Sequence, residues 1–145
     1  MEGNNYLPKP NTPLLAVDAV IIINENKIVL IQRKNPPFQG YYALPGGFVE
    51  IGETVEEACI REAFEETNLN IKIKKLIGVF SDPKRDPRGH VVSIAFLCEP
   101  TSDKEVPMAK DDAMNLMIVP IKEIKSLKLA FDHKKIIEKS GLIKN

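Results

Sequence analysis

Three glutamates, Glu62, Glu65 and Glu66, fall close together inside the stretch Val55–Thr67, and what they can do depends on where a helix puts them. Thr54 followed by Glu57 is a capping box, in which the hydroxyl takes an orphan amide at the helix start and the carboxylate reaches back. Asn68 closes the other end in the left-handed conformation. At about 100° per residue, Val55, Cys59 and Ala63 form one apolar stripe and Ile60 and Phe64 a second. The helix is therefore expected to be covered on more than one side. Glu62 and Glu66 overlap the sector of Val55 and Cys59, Glu65 flanks them, and Ala58 leaves room between. Like charges three and four residues apart repel, and at the edge of an apolar sector the cost rises unless cations offset it. Carboxylate oxygens on adjacent turns suit a hard divalent ion such as Mg²⁺ or Mn²⁺, which keeps water and takes phosphate oxygens as further ligands. A solvated acidic face fits the same spacing; the apolar sector weighs against it.

The elements that must position this helix are legible from the apolar runs. Leu14–Ile23 and Lys27–Gln32 are β-branched-rich strands joined at Asn24-Glu25-Asn26, a hairpin signal with asparagines tolerant of positive φ. Residues 33–47 carry Pro36, Pro37 and Pro45 and form no long helix. Strands follow the helix at Ile71–Phe80 and Val91–Glu99, with a turn-rich, charged loop at 81–90 between them. Residues 100–112 are a second loop, Asn115–Pro120 a short strand and Glu123–Leu127 a helical turn. A last helix spans Asp132–Ser140, with Asp132 as N-cap and Gly141 as stop. Strands interleaved with two helices give one α/β domain, a mixed sheet packed between helices, preceded by an N-terminal arm over 1–13.

Composition narrows the class. The 145 residues are 43% hydrophobic and 28% charged, which fits one ordinary globular domain and excludes collagen, coiled coil, disulfide miniprotein and disordered tail. Twenty basic against twenty acidic residues leave no net field to draw in nucleic acid or an anionic membrane. Cys59 and Cys98 lack any CxxC spacing and read as buried free thiols of a reducing compartment. The N-terminus lacks the basic and apolar regions of a signal peptide, and the run Leu14–Ile23, interrupted by Asp18, is too short to span a bilayer. A cytoplasmic protein is expected.

The wider pattern Gly47-x5-Glu53-x7-Arg61-Glu62-Ala63-Phe64-Glu65-Glu66-Thr67-Asn68-Leu69 resembles the signature of the Nudix hydrolases. Asn68 stands where that family has glycine, and Ala63 is smaller than the usual aliphatic; neither position carries chemistry. The resemblance implies a Nudix-type α/β/α sandwich and Mg²⁺-dependent (or Mn²⁺-dependent) cleavage of a pyrophosphate bond. It implies Glu62 and Glu66 as main metal ligands, Glu65 as a further one, and the Gly46 carbonyl completing the set. Glu53 and Arg61 would pair and hold the loop–helix geometry, which places both, with Glu65, in the catalytic machinery.

The flanks are similar to ADP-ribose pyrophosphatases: Asn35–Glu50, Phe80–Phe96 and Ala130–His133. The reaction so implied is hydrolysis of ADP-ribose to AMP and ribose 5-phosphate, commonly by a homodimer. Arg85 and Arg88 sit in a loop where a guanidinium can clasp a phosphate bidentately, and a solvated loop is the plainer reading of the two. Asp86 is placed to orient an arginine or to accept from a ribose hydroxyl. Phe131 and His133 are base-binding candidates, equally readable as a core ring and a helix-start histidine. Tyr41 and Tyr42 read as sheet and interface residues. With the helix glutamates committed to metal, the general base is sought in the loop at 99–112, at Asp112 with its neighbour Asp111, and then at Glu105. The alternatives are hydrolysis of another nucleoside diphosphate or an oxidised nucleoside triphosphate, and an ADP-ribose-binding module without turnover.

Overall fold

The computed structural model describes residues 11–109 and 114–143, so most of the arm lies outside it. Chain order runs β1 (Leu14–Ile23), β2 (Lys27–Arg33), β3 (Tyr42–Ala43), β4 (Gly46–Phe48), α1 (Val55–Thr67), β5 (Ile71–Phe80), β6 (Val91–Pro100) and β7 (Met114–Pro120). A 3-10 helix over Ile121–Ser126 and α2 (His133–Lys139) complete it.

Alternation along the central strands sends side chains to two cores. Val17, Ala19 and Ile21 of β1 and Phe96 and Cys98 of β6 meet Ala58, Cys59 and Ala63 of α1. Val20 of β1 with Ala95 and Leu97 of β6 face the other way, onto Ile136 and Ile137 of α2 and Ile124 of the 3-10 helix. The expected three-layer α/β/α sandwich follows. The sheet is mixed, because β1 runs parallel to β6 and antiparallel to β2 and β4. Among the described residues no helix is long and apolar enough to cross a membrane.

The β1–β2 hairpin is paired only near its turn, at Ile22↔Ile28 and Ile23↔Lys27. Beyond that the strands part. β1 continues between β6 and β4, while β2 continues between β3 and β7. The gap between the separated strands is where the cavity described below opens.

Four local expectations change. The positive φ values at the hairpin fall on Asn24 (52°) and Glu25 (67°) rather than on the two asparagines. Ile60 and Phe64 are exposed, so α1 is covered along one stripe only. The proline-rich stretch holds two short strands, β3 and β4, too brief for any periodicity to announce. Asp132 precedes α2 but makes no side-chain cap, because Arg85 holds its carboxylate. The capping box of α1 and the left-handed Asn68 (φ 64°) are present. Gly141 ends α2 with φ 87°.

Candidate active site

Glutamates on α1 reach the sheet because β4 comes so close to the helix. In the β1–β4 ladder Val17 stands opposite Gly47, Ala19 N–H bonds Pro45 C=O (2.8 Å) and Val49 N–H bonds Leu15 C=O (3.0 Å). Antiparallel pairs alternate, so Gly46 and Phe48 turn their amide and carbonyl groups away from β1, toward α1. The outward Gly46 N–H donates to Glu66 Oε1 at 2.7 Å, and the outward Phe48 carbonyl accepts from Arg61 Nη2 at 3.1 Å. The Gly46 carbonyl has no partner in this ladder.

Both glycines are required by close approach and not by φ. A Cβ on Gly47 would lie 2.5 Å from Glu62 Cδ, and one on Gly46 would lie 2.7 Å from Asp18 Oδ1.

Arg61 binds the acids of the box together. Its Nε and Nη2 grip Glu53 at 3.0 and 2.6 Å, and its Nη1 reaches Glu62 (2.8 Å) and Glu65 (3.2 Å). The Arg61 bonds, helped by the Glu50 amide, hold the Glu53 carboxyl down at about 2. Burial pushes Glu62 up, against Arg61. Glu66 is buried, and desolvation takes it to about 8 against the opposing Gly46 amide, with Glu62, Asp18 and Glu65 adding repulsion. A carboxyl so raised sits where positive charge is missing.

The donor set fits a hard divalent cation: carboxylates on successive turns of α1 beside an outward carbonyl, with no nitrogen or sulfur ligand. Among the described residues no three acids already converge on one point, since Glu62 and Glu65 are drawn onto Arg61.

Glu66, Gly46 and Gly47 line one side of a cavity of about 190 Å³. Asp18, Arg33, Arg88 and Phe131 are among the residues lining the rest. Loop 81–90 sends its two arginines to different places. Arg85 is buried, and its fork is occupied by Asp132 (Nε–Oδ2 2.9 Å, Nη2–Oδ1 2.7 Å), with Asp18 at 3.7 Å. It borders the cavity, but the bidentate face that a phosphate would need is already taken. Arg88 stays half exposed, and buried Asp86 holds it through Nε (3.0 Å) and Nη2 (2.7 Å). Asp86 thus orients an arginine.

Phe131, in the left-handed region at φ 53°, presents its ring to the guanidinium groups of Arg33 (5.1 Å) and Arg88 (5.5 Å) and to the edge of Phe38. His133 is buried with both ring nitrogens engaged. Nδ1 accepts Leu44 N–H at 3.0 Å and Nε2 faces Asp18 Oδ1 at 3.3 Å, which leaves no edge for a base. Tyr42 enters β3, and Tyr41 packs against Phe38 beside Ile31, Ala43 and Ala130.

Of the acids considered for the general base, Asp111 and Asp112 lie outside the described residues. Glu105 is not brought to the cavity; its carboxylate accepts Asn70 N–H at 2.7 Å beyond the far end of α1.

Two cavity residues escape the sequence argument. Asp18 is noticeable only as an acid interrupting an apolar strand, which is itself a sign that buried partners exist. Arg33 is an arginine closing such a strand ahead of the Gly-Gly pair. Its Nε bonds Pro37 C=O at 2.7 Å, and among the described residues no carboxylate lies within ion-pair distance of it. Burial, and then Arg88, lower its pKa, as expected of a cation short of counter-charge.

The chain resembles several known proteins in sequence and fold. The chain is 54% identical over 126 residues to an ADP-ribose pyrophosphatase of Methanocaldococcus jannaschii, covering 87% of this chain and 72% of that one. The next two curated relatives, a putative 8-oxo-dGTP diphosphatase of Bacillus subtilis and an ADPR-responsive transcriptional repressor of Acinetobacter baylyi, are spanned over about half their length (47% and 53%). Among solved structures, the NUDIX domain of Shewanella oneidensis NrtR complexed with ADP ribose superposes with a TM-score of 0.81 at 28% identity, over 97% of this chain and 94% of that one. A Francisella tularensis bifunctional NMN adenylyltransferase/ADP ribose pyrophosphatase, complexed with AMP and a manganese ion, gives 0.77 at 34% identity, over 90% of this chain and 42% of that one. Residues 12–140 match the NUDIX domain, and the chain belongs to the Nudix family.

Proposed function

We propose that this chain hydrolyses ADP-ribose to AMP and ribose 5-phosphate with Mg²⁺, Mn²⁺ serving in its place. The observation that carries the reading is the composition of one cavity. Glu66 and Gly46 line it together with the Arg33–Arg88–Phe131 cluster. The 54% identity to an ADP-ribose pyrophosphatase selects the substrate.

In this reading Glu62, Glu65, Glu66 and the Gly46 carbonyl hold the divalent ion, and Glu53 orients Arg61, which aligns Glu62 and Glu65 until the ion arrives. The ion, when bound, supplies positive charge to the diphosphate and lowers the pKa of a water. Arg33 and Arg88 neutralise and orient the diphosphate, and Asp86 holds Arg88 in place. Phe131 keeps the two guanidinium groups in register and borders the nucleoside. Arg85 and His133 act through the groups they fix. Asp112 takes a proton from the attacking water. The new P–O bond forms at one phosphorus while the bridging P–O bond breaks toward the other phosphate. We place the enzyme in the cytoplasm, where its two buried free thiols stay reduced, as a homodimer.

The test is phosphate-coupled turnover of ADP-ribose, ADP-glucose, NADH and 8-oxo-dGTP, with and without Mg²⁺. Preference for ADP-ribose, abolished by chelator and by Glu66→Gln, supports the reading. A second reading, ADP-ribose binding without turnover, is favoured by the match to the NrtR domain. Calorimetric binding of ADP-ribose with no cleavage of any diphosphate selects it. Asp112→Asn at full activity removes Asp112 as the base, and light scattering decides the homodimer.

A further inference from the structure

We propose that His133 and Asp18 form a positioning relay that sets the Leu44–Gly46 segment, and through it Glu66. The inference rests on the reading of Glu66 as a metal ligand.

Three backbone groups between the Leu44 amide and the Gly46 amide have fixed partners. Leu44 N–H donates to His133 Nδ1 (3.0 Å, buried), Pro45 C=O accepts from Ala19 N–H (2.8 Å), and Gly46 N–H donates to Glu66 Oε1 (2.7 Å). Two of these anchors belong to the sheet and the catalytic helix. The third is a side chain from α2, 89 residues away in sequence.

An amide can only donate, so Nδ1 must be the bare nitrogen of the imidazole and the ring proton must sit on Nε2, which lies 3.3 Å from Asp18 Oδ1. One tautomer is thereby selected. Asp18 is fixed in turn: Ser93 Oγ donates to its other oxygen, Arg85 lies at 3.7 Å, and Asp132 holds Arg85. Asp18 also stands opposite Gly46 in the β1–β4 register, with no room for a Cβ on that glycine. The Asp18 carboxylate thus lies beside Gly46, where with the Val17 carbonyl it fills the space a side chain would need, and faces His133, which holds Leu44. Neither residue is freed to react, because both imidazole nitrogens and both Asp18 oxygens are engaged. What they control is where the Gly46 amide and carbonyl point. Outer partners of metal ligands typically matter by about 10–100-fold in metal affinity or activity.

Two substitutions split the relay. His133→Asn keeps an acceptor near the Nδ1 position for Leu44 and loses Asp18; His133→Gln reaches toward Asp18 and loses Leu44. Each is compared with wild type for thermal midpoint, Mn²⁺ affinity without nucleotide by electron paramagnetic resonance, ADP-ribose kcat and KM, and the Gly46 and Leu44 amide resonances. We expect both variants to unfold at lower temperature. We expect His133→Gln to lose about tenfold or more in Mn²⁺ affinity and kcat with KM within threefold, and to shift the Gly46 amide. His133→Asn, which keeps the Leu44 bond but loses Asp18, should fall between wild type and His133→Gln in all three, and wild-type values for it would remove Asp18 from the relay. Equal behaviour of the two variants, or a Gly46 amide unmoved in His133→Gln, overturns the relay. If wild type binds Mn²⁺ but cleaves no diphosphate, the hydrolase reading fails while the Mn²⁺ and amide readouts still decide the relay.

Discussion

The carboxyl carbon of Glu62 occupies the space in which a side chain on Gly47 would begin, 2.5 Å from the position of its Cβ. Helix and strand approach each other there across a single missing methyl group. Gly47→Ala must therefore push Glu62 off its place against Arg61. Overpacking of this kind costs about 1–3 kcal/mol, so the folded protein survives. The expected result is a lower thermal midpoint with kcat down at least tenfold and restored poorly by added Mg²⁺. An unchanged kcat contradicts a role for Glu62 at the metal.

Acid sensitivity should trace partly to the Glu53–Arg61 pair. The folded-state pKa of Glu53 lies at about 2, below its ordinary 4.5, so the stability it contributes is present above 4.5 and is lost as pH falls toward 2. Arg61→Gln removes the main cause of that depression. Its stability-versus-pH curve, from urea midpoints between pH 2 and 6, should be flatter through this window than that of the wild type. Parallel curves would show that the pair contributes nothing to acid stability.

Arg85, a phosphate-clasp candidate by its sequence, spends its fork on Asp132. Arg85→Ala strands the buried carboxylates of Asp132 and Asp18, a loss of about 3–5 kcal/mol for a broken buried pair. Chemical denaturation should show it, while KM of the surviving folded fraction moves little. A KM rise without loss of stability reverses this assignment.

Arg33→Gln should do the opposite: stability close to wild type and KM for ADP-ribose raised about tenfold, the scale of a hydrogen bond to a charged group. Arg88→Gln should raise KM less, because Asp86 already offsets its charge. Steady-state kinetics on the two variants settle the order, and equal KM values for both and wild type remove the cluster from substrate binding.

The sequence carried the helix, its caps and the acids on it because these are short-range relations, fixed within one or two turns by spacing alone. The layer order was legible because two helices interleave with the strands, which calls for a sheet packed between helices. What stayed hidden depends on which distant segments meet. Strands β3 and β4 have two and three residues, too few for a period, and exist only because β1 and β2 offer them edges. The destination of Arg85 turns on Asp132, 47 residues on, and that of His133 on Leu44 and Asp18. Arg33, three residues ahead of Pro36, carries no local signal of a role, which comes only when the fold brings Phe131 over it.

The parting of β1 from β2 has a consequence for how such a chain diversifies. The hollow is a by-product of two strands leaving a shared turn for different neighbours, so no inserted domain and no sacrificed core is needed to make it. Its strand-borne lining, from β1, β2 and β4, belongs to ladders that tolerate little change. Much of the rest of its lining comes from the 81–90 loop and the segment around Phe131, connections in which replacement is cheap. New specificity on this scaffold can therefore arise from edits to a handful of loop positions while the hydrolytic machinery is inherited intact.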